Sequence, residues 1–358
     1  VAVVDRPPTL HDVARRAGVH PATVSRALSR PDMVAAGTRA AVLDAVAAVG
    51  FVPNRSARQL VSGRTDAIGV VVPDITNPYF AAIVQAIQAD ARNDDLAVLI
   101  ADTGADPAEE RRALATLSRQ VDGLIVVTPV TDLGAASRPV VQVNRQRRDV
   151  VSVVVDQDAI VRTAVGHLTS LGHTHVAVVR GPAAYWSATR RDRAVERLGP
   201  PDPAAPPRID LLPPTPATFD GGRAAYDAVR RRGATAVVAF NDLQAAGLLV
   251  AAHDAGRLVP DSLSVVGSDG LALATMTSPP LTTVAAPLDE LGRTARQRLA
   301  DLLAQAPGPM VTTLRPALVV RATTAPPAPP APEPPAPEPP AAARTPQPNR
   351  RQPGERPT

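Results

Sequence analysis

The 358-residue sequence contains no cysteine and no lysine. Without thiols there are no disulfides, no thiolate metal sites and no cysteine nucleophiles, a composition suited to a reducing cytoplasm. Without lysine, a P-loop lysine and Schiff-base chemistry are both excluded. Aromatic residues are scarce, with one Trp, three Tyr and four Phe. No apolar run is long enough to span a bilayer, and the opening VAVVDRPP lacks the form of a secretory signal, so a soluble internal protein is expected. No G-x-G-x-x-G, G-x-S-x-G or H-E-x-x-H stretch occurs, which leaves an enzyme without a dinucleotide loop, a nucleophile elbow or a zinc helix. His167, His173 and His175 are loosely spaced and lack cysteine or clear carboxylate company, so HLTSLGHTHVAVV reads as a helix end and a strand entry. The expectation is a non-enzyme with no metal, no cofactor and no membrane association.

What is present is a chain with 45% hydrophobic residues, enough for a sizeable core divided into two or three domains. Its charge is uneven. Residues 1–64 carry nine arginines against four aspartates, a net of +5, while the whole chain carries +4. A basic module on a neutral body suits a polyanion, because arginine neutralises phosphates and releases their counterions. Within that module, TLHDVARRAGVHPATVSRAL holds two short helical periods. Thr9 is a candidate N-cap, Leu10, Val13, Ala14 and Ala17 share one stripe, and Gly18 supplies the left-handed turn. Pro21 opens the second helix, whose stripe is Val24, Ala27 and Leu28 and whose polar face is His20, Ala22, Thr23, Ser25, Arg26 and Ser29. A third segment, TRAAVLDAVAAVGF, is expected to bury Val42, Leu43, Val46 and Val49. Three such helices make an all-α helix-turn-helix head whose second helix enters the major groove of DNA.

These segments, followed by GFVPNRSARQLVSGRT and IGVVVPDITNPYF, resemble the lac repressor family of bacterial transcription regulators, from Thr9 to about Ala322. The resemblance implies a helix-turn-helix head over residues 1–53 with Thr9, His20, Pro21, Ala22, Thr23, Ser25, Arg26 and Ser29 toward DNA. It implies a hinge helix over 54–65 that folds on the operator. Asn54 would cap that helix, Arg55 and Arg58 would reach phosphates, Ala57 would lie beside the groove, and Leu60 would wedge into the minor groove, with simple packing of the linker as the competing role for Leu60. The core implied is the α/β type I periplasmic-binding-protein fold of two parallel-sheet lobes, 66–157 with 286–313 and 158–285 with 314–322. Crossovers are expected near 156–158, 285 and 313. The resemblance also implies a homodimer on a pseudo-palindromic operator.

The body itself reads as strands at 67–72, 96–101, 123–128, 150–155, 176–180, 236–240 and 263–267, whose continuous Val/Ile/Leu runs mean burial on both faces in parallel sheets. Ligands of such sheets bind beyond the carboxyl ends of strands. Asp74, Asn77, Thr128, Asp156, Asn241 and Asp269 stand there, with Asp74 also suited to a turn and Asp242 suited to cap the helix that follows. Tyr79, Phe80, Trp186 and Phe219 are the aromatics near the same ends. Family resemblance assigns Arg191 and Asp269 to a small-molecule effector, and this mix of carboxylate, amide, guanidinium and flat ring suits a polyhydroxylated ligand such as a sugar. A purine- or nucleoside-responsive regulator and a solute-binding module without a DNA role are the alternatives; a basic head where a signal sequence would stand favours the regulator.

The sequence departs from the family at several places. His20 and Ala35 replace serines that start helices two and three, so two caps are expected to be missing. Pro21 and Ala22 offer the bases no hydrogen bonds, which shifts readout to Thr23, Arg26 and apolar contacts with thymine methyls. Ile160 and Ala194 stand where glycine is common, Ala217 replaces a cleft aromatic, and the stretch from 194 to 219 is rich in proline. Residues 323–358 hold fourteen of the forty prolines and no leucine heptad, so a disordered or polyproline II tail is expected there.

The charge distribution makes a direct prediction. A fragment beginning at Thr65 should fail to retard a palindromic operator in a mobility-shift assay that the whole chain passes. For the whole chain, Arg55→Ala should reduce the log–log salt slope of operator affinity by about one.

Overall fold

The computed structural model describes residues 6, 8–29, 31–51, 64–133, 136–198 and 207–328. The hinge expectations for Asn54, Arg55, Ala57, Arg58 and Leu60 lie outside these residues, as does the tail beyond 328.

The head contains α1 (Leu10–Ala17), α2 (Pro21–Ser29) and α3 (Ala36–Val49). Gly18 ends α1 at φ +65° and Gly50 ends α3 at the same φ, a left-handed conformation that costs glycine nothing. Val13, Val24 and Val42, one from each helix, are fully buried together with Ala14, Ala27 and Ala45. Leu43 was expected in this core but is 45% exposed. The apolar stripe of α3 runs through 42, 45, 46 and 49, and a residue at 43 falls 100° away from it.

The core begins with β1 (Ala67–Val72), α4 (Pro78–Ala91), β2 (Ala97–Asp102), α5 (Pro107–Leu117), β3 (Gly123–Val127), β4 (Val140–Val143) and β5 (Val151–Val155). It continues through α6 (Gln157–Ser170), β6 (His175–Arg180), α7 (Trp186–Leu198), β7 (Arg208–Pro214), α8 (Phe219–Arg232), β8 (Ala236–Val238), α9 (Asp242–Asp254), β9 (Ser264–Asp269), α10 (Leu273–Met276) and β10 (Thr282–Ala285). It closes with α11 (Leu288–Leu303), β11 (Val311–Leu314) and β12 (Ala317–Val319). One sheet has the order β11-β5-β4-β3-β1-β2, the other β12-β10-β9-β8-β6-β7. All pairings are parallel except β10 with β12. The chain passes between the sheets after β5, after β10 and after β11.

Period two explains why the strands carry unbroken apolar runs. In β1, Ile68, Val70 and Val72 face Ile83 and Ile87 of α4 and Leu291, Ala295 and Leu299 of α11. Ala67 and Val71 face the opposite way, toward Leu117 of α5 and Leu124 of β3. β1 therefore has a packed apolar layer on both faces.

Two regions differ from expectation. The proline-rich stretch contains β7, the outermost strand of its sheet, which ends in Pro213 and Pro214 where its pairing with β6 shifts register between Val178 and Arg180. Residues 323–325, expected to open the tail, instead pack against the body. Thr323 is fully buried, its hydroxyl donates to Val265 O at 2.6 Å and accepts from Thr282 N at 2.9 Å, and Ala325 O accepts from His173 Nε2 at 2.9 Å. His167 Nε2 meets Thr324 Oγ1 at 3.0 Å and His175 Nε2 meets Asp210 Oδ2 at 2.9 Å, so each histidine has a structural partner.

Close packing of α4 on α11 predicts a contrast between two glycines. A Cβ at Gly292 would stand 2.7 Å from the Ile83 carbonyl oxygen, whereas one at Gly166 would meet nothing within 4 Å. Gly292→Ala should destabilise the protein by about 1–3 kcal/mol in chemical denaturation despite alanine's better helix propensity. Gly166→Ala should stabilise it by up to about 1 kcal/mol.

Candidate functional site

Parallel strands deliver the N-termini of the following helices to one end of each sheet. Asn77 after β1 caps α4 by accepting from Tyr79 N at 3.0 Å, and Asp156 after β5 caps α6 through Ala159 N at 2.8 Å. Thr218 caps α8 through Gly221 N at 3.1 Å, and Asn241 after β8 caps α9 through Gln244 N at 2.8 Å. Between these ends lies a cavity of about 40 Å³, lined by residues of both lobes: Asn77, Tyr79, Phe80, Thr128 and Asn144 from the first, and Gln157, Tyr185, Ser187, Arg191, Ala217, Phe240, Asn241 and Asp269 from the second. Thr128, Asn144 and Asp269, each just beyond or at the end of a strand, have φ of +50°, +56° and +124°. Such backbone is costly for non-glycine residues.

Arg191 is the cation of this cavity. Its Nε donates to Gln157 Oε1 at 2.7 Å, its Nη1 donates to the Phe240 carbonyl, and its guanidinium carbon lies 4.6 Å from the Phe240 ring centre. Burial pulls its pKa down, against the opposing pull of Asp269. Burial pushes the Asp269 carboxyl well above its ordinary range and raises the Tyr79 phenol as well. Asn144 Nδ2 donates to Tyr79 Oη at 2.6 Å, while the buried Asn144 Oδ1 has no partner among the described residues. An acceptor desolvated without a donor is costly, and a ligand hydroxyl is able to satisfy it.

Of the residues singled out from sequence, Tyr79, Phe80, Thr128, Arg191, Asn241 and Asp269 come together in this cavity. Asp74, Asp156, Trp186 and Phe219 do not line it. Asp74 closes its own turn, accepting from Thr76 N at 2.9 Å and Thr76 Oγ1 at 2.6 Å. Asp156 is spent on its cap, Trp186 stacks under Arg190 at 5.7 Å, and Phe219 is 39% exposed at the start of α8. The cap of α9 is Asn241, with Asp242 inside the helix, because Asn241 takes the extended backbone of a capping residue. Its Nδ2 donates to the carbonyl of Ala217 at 2.9 Å. Asn77, placed by sequence beyond the end of the first strand, also lines the cavity, whereas sequence reading missed Asn144, Gln157, Tyr185, Ser187 and Phe240. For Asn144 and Gln157 the available signal was position, since both stand within a few residues of a strand's carboxyl end.

The head presents a second surface. Thr9 N and Oγ1 both donate to Asp12 Oδ2, at 2.9 and 2.6 Å, and these bonds hold the Asp12 carboxyl at a pKa of about 2. Asp12 also pairs with Arg6 at 3.3 Å and Arg15 at 3.1 Å. His20, Ala22 and Arg26 are exposed, while Pro21, Thr23 and Ser25 are half-buried. The placement of the Ser29 side chain lies outside the described residues. One expected loss is made good: His20 Nδ1 accepts from Ala22 N at 3.2 Å, the bond a capping serine would make, whereas Ala35 gives α3 no side-chain cap.

Residues 9–54 match the family model of bacterial regulatory proteins, lacI family, and residues 165–324 match that of a periplasmic binding protein-like domain. The transcriptional regulator DegA of Bacillus subtilis is 32% identical over 339 residues, covering 89% of this chain and 98% of its own. The chain belongs to the LacI family. A crystal structure of the lac repressor dimer bound to operator and the anti-inducer ONPF superposes with a TM-score of 0.79 at 28% identity, covering 89% of this chain and all of that one. The complex of the transcriptional regulator CelR with cellobiose gives a TM-score of 0.64 at 28% identity, covering 88% and 99%. As a LacI-family member the chain is a DNA-binding transcriptional regulator, with α1 and α2 as its helix-turn-helix. Among the described residues no helix is long and apolar enough to cross a membrane.

The imidazole cap carries a prediction. His20→Ala should destabilise the head by about 1 kcal/mol, and His20→Ser should restore it; thermal unfolding of the head followed by circular dichroism distinguishes the three proteins.

Proposed function

We propose that the protein is a cytoplasmic homodimeric repressor that holds a pseudo-palindromic operator, and that a small polar effector, a sugar, binds between the lobes and sets operator affinity. The observation that carries this reading is the cleft itself. Arg191, Asp269, Asn241 and the unpartnered Asn144 Oδ1 converge there beside the Tyr79 and Phe240 rings, and Ala217 leaves one wall small. Amides and a carboxyl suit vicinal hydroxyls, and a ring suits the apolar face of a sugar. That CelR was crystallised with cellobiose is in keeping with this class.

The cavity of about 40 Å³ is far below the several hundred Å³ of an occupied ligand pocket. An effector enters only if the lobes part about the three crossovers, and closure on it fixes a different separation from the empty state. The stretch NRSARQLVSG is too short to be a stable helix alone. It would order as a hinge when two copies pair on DNA, with Asn54 capping, Arg55 and Arg58 on phosphates, Ala57 against the groove wall and Leu60 wedged between base steps. Lobe separation then biases the hinge, and the hinge holds or releases the heads. In the heads, Thr9, His20, Pro21, Ala22, Thr23, Ser25, Arg26 and Ser29 form the face toward the major groove. The dimer is supported by β2, the outermost strand of the first sheet, where Ile100 is 42% exposed, because a bare apolar edge is normally covered.

The test is a thermal-shift screen of sugars, sugar phosphates, nucleosides and purines against the whole chain, followed by operator release with whichever compound raises the melting temperature. Arg191→Ala and Asp269→Ala should lose the shift and the release, at a cost of about 2–5 kcal/mol in ligand binding, while operator binding persists. Normal release by both variants would show that the effector binds elsewhere. A response confined to nucleosides or purines would replace the sugar assignment.

A further inference from the structure

We propose that Gly181 and Gln244 are positioning residues that fix the Arg191 guanidinium from behind the cleft wall, acting through Phe240. Neither lines the cavity. Gln244 is fully buried in the first turn of α9. Its Oε1 accepts from Phe240 N at 3.1 Å, and its Nε2 donates to Thr215 Oγ1 at 2.9 Å and to the Pro216 carbonyl at 2.8 Å. The reversed amide would set its NH2 against the Phe240 N–H and its oxygen against the Pro216 carbonyl, so these partners fix one orientation. Thr215 N donates in turn to Arg180 O at 3.3 Å, and Gly181 is the next residue. One buried amide thus gathers the turns that follow β6, β7 and β8.

Gly181 supplies the space. A Cβ there would stand 2.6 Å from Phe240 Cγ and Cδ2 and 2.7 Å from Cδ1, so the root of the ring lies flat against this glycine. Gly181 is not left-handed, and room rather than backbone freedom is what requires glycine here. Held at its backbone by Gln244 and at its ring by Gly181, Phe240 offers Arg191 two supports. Its carbonyl accepts from Nη1, and its ring centre lies 4.6 Å from the guanidinium carbon. Gln157 Oε1 takes the Nε hydrogen at 2.7 Å. Of the five guanidinium hydrogens, two are spent on these acceptors, and the rest, on Nη1 and Nη2, are left for a ligand oxygen. That last consequence rests on the effector reading of the cleft; the support behind Arg191 does not.

The experiment reads Arg191 itself and needs no ligand. Exchange of arginine Nε–H protons with water is followed in the whole chain by heteronuclear NMR, the Arg191 signal being the one lost in Arg191→Ala. Buried against Gln157, this proton should exchange slowly. Gly181→Ala acts on the ring and Gln244→Met on the backbone N–H, and each should speed the exchange about tenfold. In a Phe240→Leu background Gly181→Ala should have no further effect, because the ring it displaces is gone. Melting temperatures show which proteins are folded; if Gln244→Met is not, the cycle of Gly181 with Phe240 decides. Exchange unchanged by Gly181→Ala would overturn the proposal. So would equal acceleration with and without the Phe240 ring, which is the mark of a general loosening of the lobe. An effector screen without a hit would end the sugar reading and leave either result standing.

Discussion

Strand direction is the constraint on which the rest of the protein depends. A parallel sheet cannot be built from hairpins, so a helix must return the chain between most neighbouring strands, and those helices start on the side where the strands end. The polar caps that satisfy those helix starts, Asn77, Asp156, Thr218 and Asn241, are therefore gathered at the mouths of the two sheets by topology. Where a strand end must turn sharply, as at Thr128, Asn144 and Asp269, the backbone is left-handed and the side chain is thrust toward the cleft. A polar recognition surface inside an apolar fold is thus a by-product of how the chain must reverse.

Much of this architecture was legible in the sequence because parallel strands buried on both faces need unbroken apolar runs. AIGVVV at β1 and GLIVV at β3 have that form, and the head announced itself through Gly18 and the stripes on either side. The strands that escaped notice are short or polar. β4 includes the buried Gln142, β7 ends in two prolines, β10 is half threonine, and β11 and β12 have only four and three residues. In each, partners elsewhere in the sheet supply what local pattern lacks. The same holds for residues 323–325, whose composition continues into a proline tract yet whose groups are claimed by His173, Ser264 and Thr282.

The site was legible to the degree that chemistry follows position. Asp269 and Asn241 stand at strand ends and were found there; Arg191, in mid-helix, rested on family resemblance. Asp156 stands at a strand end too, but its oxygen is committed to a helix cap. Sequence cannot show whether a polar side chain at such a place is already satisfied. Asn144 and Gln157 were passed over for the converse reason, since an amide beside a valine run looks like the end of a strand and nothing more. Even the substitution of histidine for serine at position 20 misled, because an imidazole nitrogen is as good an acceptor for Ala22 N as a hydroxyl.

The interleaving of the two sheets has a consequence for biosynthesis. β11, the strand that completes the first sheet, pairs with β5 but emerges from the ribosome about 150 residues after it, and α11, which covers β1, arrives only shortly before. The head, all of whose buried contacts lie within its first fifty or so residues, has no such delay. A nascent chain will therefore carry a finished DNA-binding head ahead of a lobe still missing its outer strand and one of its covering helices. Until the last elements appear, the apolar face that α11 will cover is open to non-native contacts.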